Sequence, residues 1–267
     1  MHYDETNYLK EQYADAGNYN RRVWLASRFS TNSRDFAAWV FDQIEFPPKA
    51  RVLELGCGPG YLWLRNTDRL PAEAAIVLSD FSAGMLEAAK AGLKDYSEAF
   101  DFAVVDAQEI PFANHAFDIV VANHMLYHVP DRKKALAEIR RVLKPGGTLY
   151  ATTIGLGNFR EIRELFRNFF NLPPSPGETV AGKFGLENGY GQLSGFFEHI
   201  QLEKYADHLE VTEAQPIIDY LMSSGSPRLA AFMTPERISS FKDYLDRLIE
   251  SEGHIYVTKE SGLFIAR

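Results

Sequence analysis

The sequence predicts an α/β fold in which a mostly parallel sheet is wound on both faces by helices. Three observations carry that reading. From Ala37 to Ile154, short apolar runs alternate with helical stretches, as parallel strands with crossover helices require. The runs are almost continuously apolar, the pattern of strands buried on both faces. A glycine-rich turn closes the first run, at the carboxyl end of a strand, where an open α/β sheet takes its ligand. The 267 residues, 46% hydrophobic and 24% charged, suffice for one large domain or a domain with a sizeable insertion.

The elements follow in order. The first forty residues read as helical and carry Tyr3, Tyr8, Tyr13, Tyr19, Trp24, Phe29, Phe36 and Trp39. Residues 1–36 are either a lid over the binding edge or plain packing against the core. Pro47 and Pro48 stop any helix before the first strand, Arg51 to Leu55. Ala75 to Ser79 is the second strand, followed by a helix over Ser82 to Ala91. Phe100 to Val105 and Phe117 to Ala122 are the third and fourth. The stretch Asp131 to Leu143 repeats apolar residues at helical spacing (Ala135, Leu136, Ile139, Val142), and Lys144-Pro145-Gly146-Gly147 ends it. Thr148 to Ile154 is a fifth strand. Beyond it come a helix over Phe159 to Phe170, a proline-rich loop over Leu172 to Gly177, and a mostly helical region to about residue 252 with a strand at His199 to Tyr205. His254 to Ala266 closes the chain as a strand or hairpin. The expected division is an N-terminal helical lid over 1–36, a binding core over 37–155, remaining core elements with a helical substrate cap over 156–253, and a last core strand over 254–267.

The chemistry concentrates in Glu54-Leu55-Gly56-Cys57-Gly58-Pro59-Gly60. Glycines at such a turn let the backbone approach a ligand and adopt conformations closed to other residues. A turn of this kind could serve a dinucleotide, a phosphate or nothing. The G-x-G-x-G spacing departs from the dinucleotide fingerprint, whose third glycine position is Tyr61 here, and no Gly-Lys-Ser/Thr follows as a phosphate loop requires. Asp80 ends the second strand, where a carboxylate can accept hydrogen bonds from ribose hydroxyls. Asp106 follows the third, where one can accept from an exocyclic amine. Both carboxylates project from neighbouring strand ends, so both can face one nucleoside.

With those residues in view, the chain resembles the class I S-adenosylmethionine-dependent methyltransferases, in particular the group labelled methyltransferase type 11. The resemblance covers about residues 37 to 155. It rests on Val52 to Gly60, Asp80-Phe81-Ser82-Ala83-Gly84-Met85-Leu86, Asp106 to Phe112, Phe117-Asp118-Ile119-Val120, Leu126-Tyr127-His128-Val129-Pro130-Asp131 and Glu138 to Gly147. Ser79 departs from the glycine or aliphatic residue many members have. The resemblance implies a Rossmann-like sheet of seven strands with an antiparallel last strand, N-terminal helices and a helical cap insertion. It implies S-adenosylmethionine as cofactor and S-adenosylhomocysteine as product. The implied cofactor residues are Glu54, Gly56, Cys57, Gly58, Gly60, Asp80, Phe81, Met85, Asp106, Ala107, Gln108 and Asn123. Arg28 is a candidate for the cofactor carboxylate, since a guanidinium grips one bidentately. Tyr13, Tyr19, Tyr127 and Trp63 are candidates for cation–π contact with a sulfonium. His128 is the candidate general base, with Tyr127 beside it; no metal is required.

Composition narrows the partners. A formal charge of −8, with short basic runs at Arg132-Lys133-Lys134 and Arg140-Arg141 beside Asp131 and Glu138, argues against nucleic acid. No apolar run reaches the length of a membrane span, and the single Cys57 admits no internal disulfide, so the expected setting is the reducing cytoplasm. The expected acceptor is a small, partly apolar molecule; the oligomeric state, monomer or homodimer, is open. Rival readings are a nicotinamide-dependent oxidoreductase on the same fold and a non-catalytic S-adenosylmethionine-binding protein.

Overall fold

The computed structural model describes residues 17–173, 179–223 and 227–267. Tyr3, Tyr8, Tyr13 and positions 174–177 of the proline-rich loop lie outside them. In chain order the elements are α1 (Gly17–Arg28), α2 (Phe36–Asp42), β1 (Arg51–Leu55), α3 (Tyr61–Leu64), β2 (Ala75–Asp80), α4 (Ala83–Gly92), β3 (Phe100–Val104), β4 (Phe117–Asn123), α5 (Arg132–Val142), β5 (Leu143–Ile154), α6 (Arg160–Phe169), α7 (Val180–Lys183), α8 (Gly189–Leu193), β6 (Ile200–Val211), α9 (Ala214–Met222), α10 (Pro227–Phe232), α11 (Pro235–Glu252) and β7 (Ile255–Ala266).

The strands form one seven-stranded sheet of order β3-β2-β1-β4-β5-β7-β6. Parallel pairing joins β3, β2, β1, β4 and β5, and β7 runs antiparallel to β5 from Leu149↔Ala266 to Ile154↔Ser261. The strand order reverses between β1 and β4, which sets the ligand crevice of an open sheet at their carboxyl ends. Alternate residues of each strand feed opposite faces. Leu53, Leu55, Val120 and Ala122 enter a core with α5 residues Ala135, Leu136 and Ile139. Val52, Ile119 and Val121 enter another with Val40, Phe41 and Trp63. Near-continuous apolar strands are the consequence, and they are what made the strands readable.

Two elements differ from expectation. The fifth strand starts at Leu143, not Thr148: Leu143 pairs with Phe117, and the register slips between Phe117 and Ile119. The Lys144 to Gly147 stretch that reads as a helix stop is therefore also a bulge, with Gly146 at φ +76°. The strand expected at His199 to Tyr205 runs on to Val211, because Leu209 and Val211 are fully buried.

The chain divides into two compact units. One comprises Arg34–Leu156, Glu178–Tyr205 and Ser261–Arg267 and holds β1 to β5. The other comprises Met1–Ser33, Gly157–Gly177 and Ala206–Glu260. Its core gathers Leu25, Ile162, Leu209, Ile217, Phe241, Leu245 and Val257. Of the stretch over 156–253, residues 178–205 fall in the first unit and residues 157–177 and 206–253 in the second. Among the described residues no helix is long and apolar enough to cross a membrane.

Candidate active site

The glycine loop leaves β1 with Gly56 at φ +65°, Gly58 at +54° and Gly60 at +77°. At Gly56 a second constraint applies, since a Cβ there would meet Met125 Cβ at 2.7 Å. The loop is tied to β2 twice. Cys57 N donates to Ser79 O (2.9 Å), and Gly58 N donates to Asp80 Oδ2 (2.9 Å). The other Asp80 oxygen accepts from Ser82 N at 2.8 Å. Asp80 thus shapes the turn as well as facing it. Burial pushes its carboxyl up, against the N–H bonds from Ser82, Gly58 and Phe81 that favour the anion. Ser79, the departure noted in the sequence, is buried and donates its hydroxyl to Glu54 O at 2.7 Å, closing β1 onto β2. Cys57 is buried as well, and burial raises its thiol pKa well above the usual range.

Glu54 is 1% exposed. Its carboxylate accepts from Trp63 Nε1 at 2.6 Å and from Asn123 Nδ2 at 3.0 Å. Burial lifts its pKa to about 7, with the Asp80 charge adding to the effect and the two N–H donors opposing it. Trp63 is correspondingly not the cation–π face expected. It is fully buried, ringed by Phe41, Phe46 and Phe100, and its work is to hold Glu54.

One strand further along, Asp106 Oδ1 accepts from Gln108 N at 2.8 Å, and the Gln108 side-chain amide folds back on the same carboxylate. Gln108 Oε1 in turn accepts from Asp131 N at 3.1 Å, while Asp131 caps α5 by accepting from Lys134 N. The third-strand loop is thereby fixed to the helix after β4. Ala107 and Met85 are buried, while Phe81 is 46% exposed beyond the end of β2. Beyond β4, His124 takes φ +48°, and a short turn carries Tyr127 and His128, both half-buried, with ring centroids 4.6 Å apart. The His124 ring lies 5.2 Å from Phe36 and 6.3 Å from Tyr127, and Phe36 also meets Tyr205.

Tyr19 lies in α1, and Arg28 ends it, both in the second unit. There the Arg28 guanidinium pairs with Glu213 and lies over the Trp24 and Phe29 rings. The neighbouring Ser30, Thr31 and Asn32 are fastened to Asp207. Sequence reasoning missed Thr152, which links Asn123 to His124, because nothing in its local sequence announces the contact.

A sheet that reverses between β1 and β4, with a glycine loop and two acidic strand ends along one edge, has the arrangement of the class I S-adenosylmethionine-dependent methyltransferases. Comparison with known proteins supports that class: residues 53–151 match the model described as "Methyltransferase domain". A ubiquinone/menaquinone biosynthesis C-methyltransferase of Geotalea daltonii is 29% identical over 162 residues, 60% of this chain and 68% of that one. A malonyl-acyl carrier protein O-methyltransferase of Geobacter sulfurreducens is 34% identical over 135 residues, 51% of this chain. The match spans half (50%) of that relative's length. The crystal structure of phosphoethanolamine N-methyltransferase 2 of Haemonchus contortus, in complex with S-adenosyl-L-methionine, superposes with a TM-score of 0.57 at 18% identity. That superposition covers 99% of this chain and 60% of the other, and bears on fold alone.

Proposed function

We propose that this chain moves the methyl group of S-adenosylmethionine to a small, partly apolar acceptor in the cytoplasm. The observation that carries the reading is the run of Glu54, the glycine loop, Asp80 and Asp106 along three adjacent strand ends. The chemistry of that set fits the cofactor. Asp80 has oxygens for a ribose diol, Asp106 and the Ala107 backbone suit an adenine edge, and the carboxylates of Glu54 and Asp80 suit a cation. When bound, the cofactor supplies an activated methyl group on a sulfonium. The chain's own contribution is to align donor and acceptor in a dry site, which can lower a barrier by about 7–11 kcal/mol. Of the relatives named above, the C-methyltransferase of ubiquinone/menaquinone biosynthesis is compatible with an acceptor of this kind. The family match disfavours the nicotinamide reading.

The test is calorimetric titration of S-adenosylmethionine and S-adenosylhomocysteine into wild type and Asp80→Asn. Asparagine keeps an oxygen for one of the two backbone donors, whereas alanine would also release the loop. Micromolar binding, weakened by about 1 kcal/mol or more in the variant, supports the reading. No binding to wild type sinks it.

His128 is proposed as the group that takes the acceptor's proton, with Tyr127 packed on it. Once an acceptor is found by screening, His128→Ala should lower kcat by about 10²–10⁴-fold at neutral pH. A loss below threefold would leave His128 with a packing role only.

A further inference from the structure

Thr152 is fully buried on β5, separated by β4 from the strand that carries the glycine loop, yet its hydroxyl sits in the middle of a directed chain of hydrogen bonds. His124 N donates to Thr152 Oγ1 at 3.0 Å and to Thr152 O at 3.2 Å. A hydroxyl has a single proton. Having accepted from His124, it directs that proton to Asn123 Oδ1, at 3.3 Å. With its oxygen so engaged, the Asn123 amide turns its NH₂ toward Glu54 Oε1, at 3.0 Å. Trp63 Nε1 satisfies the other carboxylate oxygen. Reversing the Asn123 amide would set its oxygen against the carboxylate oxygen and forfeit the bond it accepts from the Thr152 hydroxyl. The carboxylate, which only accepts, therefore sets the direction of the amide, and the Thr152 hydroxyl, by donating to the amide oxygen, holds the amide in place against Glu54.

We propose that Thr152 is a positioning residue for cofactor binding: through Asn123 it fixes the Glu54 carboxylate so that its charge is felt at the glycine loop by the α-ammonium of the cofactor. The inference rests on the reading of this edge as the S-adenosylmethionine site. Glu54 follows Leu53 on β1 and precedes the loop by two residues, and the charge that shares its surroundings is Asp80 on β2. In this low-dielectric setting a small displacement of one carboxylate changes the field at the loop substantially.

The test measures binding of two probes by calorimetry: S-adenosylhomocysteine, which carries the ammonium, and 5′-methylthioadenosine, which lacks the amino-acid portion. The proteins are wild type, Thr152→Val, which keeps the shape and loses the hydroxyl, and the pair Thr152→Ser and Thr152→Ala. The expected result is that Val and Ala weaken S-adenosylhomocysteine at least fivefold and change 5′-methylthioadenosine less than twofold, while Ser stays within twofold of wild type for both. If the Val protein does not fold, the Ser and Ala pair decides the question on the same criterion. Equal binding by hydroxyl-bearing and hydroxyl-lacking proteins overturns the inference. So does an equal loss for both probes, which would mark a merely structural residue. Failure of wild type to bind either probe would instead remove the cofactor reading beneath it.

Discussion

Glu54 concentrates the electrostatics of the site in one side chain. Its carboxyl titrates near an ordinary 4.5 in an unfolded chain and at about 7 in the fold, chiefly because burial disfavours the anion. Between those values the folded protein holds a proton that the unfolded one has released. This contribution to stability is therefore present at low pH and is lost as pH rises from about 4.5 through 7. The full difference corresponds to roughly 3 kcal/mol, and Asp80, also raised, pushes the same way. Urea unfolding of wild type and Glu54→Gln at pH 5 and pH 8 checks it. Wild type should lose stability relative to the variant on going to the higher pH, and a gap unchanged between the two would show that Glu54 does not titrate there. At this scale the acidic strand ends were legible, since Asp80 and Asp106 stand where a strand stops and the next turn begins. Trp63 and Thr152 were not, since their partners stand 9 and 29 residues away.

At the scale of elements, local grammar located the strands, and long-range packing set their lengths. Lys144 to Gly147 contains every sign of a helix stop, yet β5 pairs across it, because Leu143 finds Phe117 on β4. β6 outruns its expected end through contacts in the second unit, where Ser30 bridges to Leu209. The most exacting of those contacts joins β6 to β7. Asp207 and Lys259, with side chains 0% and 9% exposed, pair at 2.6 Å, and Ser30 Oγ adds a bond at 2.7 Å. Burial pushes the Asp207 carboxyl up, but Lys259, Ser30 and Asn32 outweigh it and hold the group below its usual range. Removing Lys259 leaves the buried Asp207 carboxylate without its countercharge, held only by hydrogen bonds from Ser30, Thr31 and Asn32. Lys259→Met should therefore cost about 3–5 kcal/mol in urea unfolding, with part recovered in the double variant that adds Asp207→Asn. A loss under about 1 kcal/mol would mean that water reaches the carboxylate once the lysine is gone.

At the scale of the whole molecule, what the sequence determined by itself was periodic or contiguous. The alternation of apolar runs with helices gave the parallel sheet, and continuous apolarity gave its burial on both faces. One seven-residue glycine turn with two acidic strand ends pointed to a nucleoside-bearing cofactor. Each of these signals is carried by neighbours in the chain, since strand and helix periods and turn chemistry act over a few residues. Tertiary structure alone decided the rest. It divided the segment after residue 156 between two units, gave Arg28 to Glu213, and buried Trp63 against a carboxylate. It also set Thr152 behind Asn123. Those outcomes depend on which side chains meet across strands distant in sequence, and the free energy of such a meeting belongs to the pair and its burial, so neither residue's local sequence records it.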